Sequence, residues 1–351
     1  MTYIPKPRID LPTDRTNDIG LRQRDYEGVL STLCAGCGHD SITAAIVQAF
    51  WELSIEPHKV VKLSGIGCSS KTPAYFISGA HGFNSVHGRM PSVATGALLG
   101  NKDLVGIGVS GDGDTASIGI GQFVHMVRRN LPLIYIVENN GVYGLTKGQF
   151  SATSDKGSRL KDGTVQDLTA IDICTLAVEL GATYVARCFS ADRKQLLQVL
   201  KGAVSHDGLA VLDVMSPCVT FNNHEGSTKS YDWGRDHQGP IHEIGFVPAW
   251  DHPEIEGCED DTICVPMPDG GQVRVGRVPE AHDPRDKESA LALLRKGVTE
   301  ETYLTGLFYV NTEEPSLHEV LHLDEAPLAT LPEKRVRPGP EVLDQINDSY
   351  R

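Results

Sequence analysis

Two short runs of this chain hold the residue types that grip a phosphate and a divalent cation. Gly111-Asp112-Gly113-Asp114 is followed, 28 residues after Asp112, by Asn140 within Glu138-Asn139-Asn140-Gly141-Val142. Magnesium takes hard oxygen ligands and commonly keeps substrate phosphates among them. Asp112, Asn140 and the backbone carbonyl of Val142 offer a carboxylate, an amide oxygen and a carbonyl, which meets that need. Taken singly, Gly-Asp-Gly and Asn-Gly are ordinary turn sequences; their pairing points to a site. Gly106, Gly108 and Gly111 also spell the dinucleotide fingerprint Gly-x-Gly-x-x-Gly. The first two glycines fall inside a predicted strand, however, and the next strand ends in Glu-Asn-Asn rather than in a lone acid, so that reading is rejected.

Cysteines form the second constellation. Cys34 and Cys37 lie in Cys-Ala-Gly-Cys-Gly-His, Cys68 in Gly-Ile-Gly-Cys-Ser-Ser, and Cys218 in Ser-Pro-Cys-Val-Thr-Phe. Four thiolates suit zinc or an iron–sulfur cluster; one close pair plus two scattered cysteines is the more cluster-like spacing. Unligated core thiols remain a third reading. Cys174 and Cys188 read as core, and Cys258 and Cys264 receive no role.

The elements that must position these residues alternate. Helical spacing of apolar residues covers 40–53, with Asp40 as N-cap. Strands are expected at 60–63, 104–109, 133–137, around Tyr184 and at 209–214. Helices are expected at 90–99 and 115–129, before Gly181, and after a cap at Ser190. This order predicts an α/β fold, a doubly wound parallel sheet covered on both faces. Asp112 and Asn140 then sit at carboxyl ends of strands, where ligands bind and a helix N-terminus favours phosphate. Cys68 and Cys218 project from that same edge. The reading divides the chain into an arm (1–28, with Pro5, Pro7 and Pro12), an α/β domain (29–221), and an irregular extension (222–351). The extension holds a short helix, 288–295, and an apolar stretch, 304–310, and is expected to wrap the core or a partner.

A chain of 351 residues, 40% hydrophobic and 22% charged, can bury a full core. Its formal charge of −14 argues against nucleic acid and anionic membranes as main partners. No apolar run reaches the roughly 18 residues of a membrane span, so no membrane partner and a cytoplasmic location are expected. Eight cysteines are too few for a disulfide scaffold.

With these residues in place, the chain resembles the beta subunit of the 2-oxoacid:ferredoxin oxidoreductases, of the 2-oxoglutarate type. The motifs fall in the family's order: Cys-x-Gly-Cys-Gly-His, Gly-Ile-Gly-Cys-Ser-Ser-Lys, His-Gly-Arg, Gly-Asp-Gly-Asp, Asn-Asn-x-x-Tyr-Gly-Leu-Thr-Lys-Gly-Gln and Ser-Pro-Cys. Ala35 stands where the family often has proline. The resemblance implies the diphosphate-binding half of the thiamine diphosphate fold. It implies magnesium on Asp112, Asn140 and Val142, and a 4Fe–4S cluster on Cys34, Cys37, Cys68 and Cys218. Thiamine diphosphate would be bound by Gly67, Cys68, Ser69 and His87, by Gly111, Asp112, Gly113, Asp114 and Asn140, and by Gly144, Leu145 and Thr146. Lys147 would hold the substrate carboxylate, with Lys71 close by. His39 and Arg89 flank the cofactor loops, where they would contact the cofactor or fix the loops.

The implied activity is oxidative decarboxylation of a 2-oxoacid, 2-oxoglutarate rather than pyruvate on the strength of Leu145-Thr146-Lys147-Gly148-Gln149. Coenzyme A takes the acyl group and ferredoxin the electrons. No second doubly wound domain is legible, so an alpha subunit must complete the site. A non-oxidative thiamine-dependent decarboxylase, a nicotinamide-linked dehydrogenase and a pure electron-transfer module are the rival readings.

Overall fold

The computed structural model describes residues 15–251, 258, 261–276, 282–337 and 339–351; the three prolines of the expected arm lie outside them. Strand formation follows apolar content. β1 (Val60–Ser64), β4 (Leu133–Asn139), β7 (Tyr184–Phe189) and β8 (Leu209–Met215) are buried at every position, as strands covered on both faces must be. With β2 (His81–Asn84), β3 (Val105–Gly111), β9 (Gln238–Pro240) and β13 (Tyr303–Val310) they build an eight-stranded sheet ordered β2-β1-β3-β4-β8-β7-β13-β9. Neighbours from β2 through β7 are parallel, and β13 joins β7 antiparallel.

Period-two alternation splits the core between the two faces. Ile134 and Ile136 face α1 (Gly38–Glu52) and α5 (Arg193–Val204). Leu133, Tyr135 and Val137 face α2 (Met90–Gly100), α3 (Ile120–Arg128), α4 (Ile173–Leu180) and α7 (Lys287–Thr299). Gly106 and Gly108 serve this packing: a Cβ at either would press to about 3 Å from Leu98 or Met90 of α2. Their spacing therefore reflects a helix seated closely on β3.

The doubly wound, mostly parallel sheet is thus as expected, with several local corrections. Cys37, not Asp40, occupies the N-cap of α1. Asp192, not Ser190, caps α5, accepting from the Gln195 amide at 3.1 Å. The helix expected over 115–129 begins as a single π turn, Gly113–Ile118, before α3, because Gly119 donates to the Asp114 carbonyl five residues back at 2.8 Å. β2 is an added strand; exposed at all four positions on the sheet edge, it shows no apolar alternation.

The region after 221 is more regular than its composition suggested. α6 (Tyr231–His237) leads into β9, and β10 (Glu243–Val247), β11 (Thr262–Pro266) and β12 (Gln272–Gly276) form an antiparallel sheet that packs outside α5. The apolar stretch at 304–310 is β13. It lays Tyr303 over the buried Arg187 guanidinium, 5.3 Å from the ring centre, while Arg187 pairs with Asp172 and, at 3.2 Å, with Asp213. Cys258 and Cys264 are joined as a disulfide. Among the described residues no helix is long and apolar enough to cross a membrane.

Candidate functional site

From β1 the chain steps outward to β2 and then returns past β1 to β3, so the connections diverge between β1 and β3. Such a switch point opens a crevice at the carboxyl ends of the strands. Three loops line it: 65–69 after β1, 111–114 after β3, and 140–148 after β4. They touch so closely that side chains are excluded between them. A Cβ on Gly111 would come within 2.8 Å of Ser69 Oγ, and one on Gly113 would overlap the Tyr143 ring. Tyr143, near the end of a two-strand hairpin (β5, Val142–Tyr143; β6, Gln149–Phe150), donates to the Gly113 carbonyl at 3.2 Å.

Asp112 is buried at the floor of this crevice. Its Oδ1 accepts from the Asn140 amide at 3.3 Å, and its Oδ2 from the hydroxyls of Ser151 and Thr153. Asn140 turns its own Oδ1 toward the Val142 amide at 3.1 Å. The expected metal-binding residues are therefore brought together. Burial pushes the Asp112 carboxyl above its ordinary range against the lowering effect of Ser151 and Thr153; a divalent cation beside it would favour the charged form. The all-oxygen donor set fits magnesium.

Asp114 takes a different post from its neighbour. Its carboxylate faces away from Asp112, toward His87 Nδ1, the Gly88 amide at 2.7 Å, the Ile66 amide at 3.4 Å and the Ser110 hydroxyl at 2.7 Å. The His87 ring, partly exposed, stands edge-on to Tyr143 with centroids 6.3 Å apart.

The four cysteines lie on three loops of the adjoining side. Cys37 donates its amide to the Cys34 carbonyl at 3.0 Å; Cys68 caps the short helix Ser69–Ala74, and Cys218 follows β8. Cys68 and Cys218 flank Gly144, where an added Cβ would lie 3.6 Å from each sulfur. Burial raises the Cys37 thiol to about 12, with the charges of Glu138, Cys218 and Asp40 adding to it. The Cys68 thiol is raised by burial and by Cys218, an effect that Lys71 opposes. Each of these thiols thus senses others of the set. Among the described residues, no three of His, Cys, Asp and Glu are grouped as ligands of one metal ion.

Both candidate lysines border the crevice. Lys71 lies on the helix that Cys68 caps, and Lys147 is exposed in the hairpin loop with φ of +83°, a left-handed backbone that non-glycine residues rarely adopt. Ile66 and Leu145, in the loops beside them, are exposed apolar residues. His39 is buried rather than facing the crevice, its Nδ1 2.5 Å from Ser216 Oγ and 3.4 Å from Glu138. Arg89 is the N-cap residue of α2.

Sequence reasoning missed Ser151 and Thr153, whose hydroxyl-rich run Ser151-Ala152-Thr153-Ser154 was the available signal. It also missed Asn139, the first residue of the asparagine pair. Asn139 does not face Asp112: it donates to Asp213 at 2.9 Å and accepts from Thr153 at 3.0 Å. Glu138, fully buried, is held by Thr72 at 3.3 Å and by His39.

Comparison with known proteins places this site in a class. Residues 65–214 match the thiamine pyrophosphate enzyme C-terminal TPP-binding domain, and residues 272–323 match the C-terminal family of the pyruvate ferredoxin oxidoreductase beta subunit. The chain therefore carries a thiamine diphosphate-binding domain, and the larger matched stretch contains the loops after β1, β3 and β4. Subunit beta of 2-oxoacid:ferredoxin oxidoreductase 1 from Aeropyrum pernix is 37% identical over 84% of this chain and 82% of its own length. Subunit KorB of the Mycobacterium tuberculosis 2-oxoglutarate oxidoreductase is 40% identical over 54% of this chain and 51% of its own. A solved structure, 2-oxoglutarate:ferredoxin oxidoreductase from Magnetococcus marinus with 2-oxoglutarate, coenzyme A and succinyl-CoA bound, superimposes with a TM-score of 0.71 at 29% identity, covering 93% of this chain and 98% of that one. The chain belongs to the 2-oxoacid:ferredoxin oxidoreductase beta-subunit family. It is a subunit of an oxidoreductase, with an alpha subunit as its counterpart.

Proposed function

We propose that the chain, with its alpha subunit, oxidatively decarboxylates 2-oxoglutarate to a coenzyme A thioester and passes the electrons to ferredoxin through a 4Fe–4S cluster. One observation carries the reading. Asp112 and Asn140 meet at the β1/β3 crevice, while Cys68 and Cys218 stand on either side of Gly144 in the neighbouring loop. In this reading the diphosphate-binding corner and a pair of cluster thiols share one short segment of backbone.

Asp112, Asn140 and the Val142 carbonyl would hold magnesium, and the amides of the 111–114 loop would take the diphosphate. Gly67, Ser69, His87, Gly144, Leu145 and Thr146 complete the cofactor contacts in this reading. Cys34, Cys37, Cys68 and Cys218 would hold the cluster by their thiolates. When bound, thiamine diphosphate supplies the carbanion that attacks the oxo carbon, and the cluster takes electrons one at a time. Lys147 supplies a point charge for the substrate carboxylate, with Lys71 on the opposite loop. The relatives named for 2-oxoglutarate and the neighbour with that acid bound support the choice of substrate. The match to a pyruvate ferredoxin oxidoreductase domain keeps pyruvate as the second reading.

The test is co-expression with the alpha subunit, followed by analysis for iron, sulfide and thiamine diphosphate and by viologen reduction with coenzyme A and either acid. The complex should hold four irons and four sulfides per beta subunit at these thiols and prefer 2-oxoglutarate. Iron-free complex would contradict the cluster, and preference for pyruvate would reverse the substrate. Asp112→Ala should remove thiamine diphosphate and leave the iron in place.

A further inference from the structure

We infer that Asp114 is a positioning residue: its carboxylate binds no cofactor atom but fixes the His87 ring so that Nε2 faces the diphosphate crevice. The inference rests on the reading of that crevice as a thiamine diphosphate site. Asp114 is 3% exposed, and both its oxygens are spent within the chain. Oδ1 takes His87 Nδ1 together with the Gly88 and Ile66 amides, and Oδ2 takes the Ser110 hydroxyl. The carboxylate also fills the space that a side chain on residue 65 would need, since a Cβ on Gly65 would overlap Oδ2. It is therefore lodged between the loop after β1 and the His87–Gly88 segment and ties the two together.

His87 is the member of this group that reaches outward. With Nδ1 committed to Asp114, the hydrogen bond at one ring nitrogen sets the orientation and proton placement of the other, leaving Nε2 to meet a ligand. Tyr143 flanks the ring and bonds Gly113, in the turn that the site reading sets against the diphosphate. An aspartate spaced two residues from Asp112 thus acts at one remove from the cofactor, through a histidine 27 residues away in sequence.

A double-mutant cycle on thiamine diphosphate affinity, measured by titration of the purified αβ complex, separates this role from a merely structural one. Asp114→Asn keeps the shape of the side chain but replaces one acceptor with a donor. Asp114→Asn and His87→Ala should each weaken binding by about 10-fold or more, in the range of outer-shell partners. The double variant should be no weaker than the worse single variant by more than about twofold. Losses that multiply, or an Asp114→Asn complex that binds as tightly as the parent, would overturn the assignment. If Asp114→Asn does not fold, Ser110→Ala gives the second reading. It removes one support of the same carboxylate and should weaken binding beside His87 but not in the His87→Ala background; equal losses in both would overturn the role. Asp112→Ala is the control: if it leaves thiamine diphosphate binding intact, the site reading itself fails, whereas its loss beside a multiplicative cycle sinks the positioning role alone.

Discussion

The Thr153 hydroxyl lies 2.9 Å from Asp112 Oδ2 and 3.0 Å from Asn139 Oδ1, so one proton serves two acceptors at the foot of the Asp112–Asn140 corner. Thr153→Val keeps the volume and deletes that proton. The expected outcome is an apparent magnesium affinity about tenfold weaker, as for other outer-shell supports, with the fold intact because Ser151 still caps the carboxylate. Magnesium titration of thiamine diphosphate binding reads this directly; an unchanged midpoint would show that Thr153 contributes nothing to the site.

Gly113 is confined by the Tyr143 ring on one side, and in the proposed site its amide would be open to a phosphate on the other. Gly113→Ala should reduce retained thiamine diphosphate by more than about tenfold, since the methyl forces the 113–114 peptide away from Tyr143. Gel filtration followed by cofactor analysis tests it. Full retention would mean that the crevice is looser than the close approach of these loops implies.

Lys147 holds a left-handed backbone in the loop of a two-strand hairpin. Such a conformation costs a non-glycine residue roughly 1 kcal/mol or more and is tolerated where a side chain is needed in one place. Lys147→Gly should leave the melting temperature equal or slightly higher while raising the KM for the oxoacid about tenfold or more. Lys147→Met, with a similar length and no charge, should match it in KM. A normal KM in either variant would remove Lys147 from substrate binding.

Inward histidines, His206 and His242 among them, make stability depend on acid. Burial lowers His206 to about 4 and His242 to about 4, against 6.5 in an unfolded chain. The unfolded state therefore binds more protons between those values. The stabilisation is complete above about pH 6.5 and is lost as pH falls toward 4, on the order of 3 kcal/mol per histidine at most. His242 accepts the Leu307 amide through Nε2 at 2.9 Å; protonation exchanges that bond for one donated to the Leu307 carbonyl at 3.0 Å, so burial sets the direction. Melting scans from pH 7.5 to 4.5 should show a falling midpoint that His206→Gln makes shallower; a flat profile would contradict both assignments.

The residues proposed for chemistry stand in compact motifs, Asp112 with Asn140, Cys34 with Cys37, and Lys147 in its loop, and spacing with strand ends is enough to pick them out of the sequence. The apolar strands were legible for the same reason that they are central, since burial on two faces leaves a continuous run of Val, Ile and Leu. What escaped was set by tertiary contact. Nothing local shows that Asp114 turns from Asp112 to His87, that Thr153 reaches back to Asp112, or that Asn139 points to Asp213. The half-buried β10, β11 and β12 mix apolar residues with Gly, Arg and Gln, so their alternation is too weak to separate them from loop.

β13 has a consequence for biogenesis. The ribosome releases β7 more than 100 residues before the strand that pairs with it. Throughout that interval one flank of β7 lacks its main-chain partner, and the Arg187 charge on it lacks the Tyr303 ring. The nascent chain must carry an open, adhesive sheet margin until β13 is made. Premature termination between Cys218 and Tyr303 would yield a product whose proposed cofactor motifs are all present in sequence but whose sheet remains free to pair with other chains.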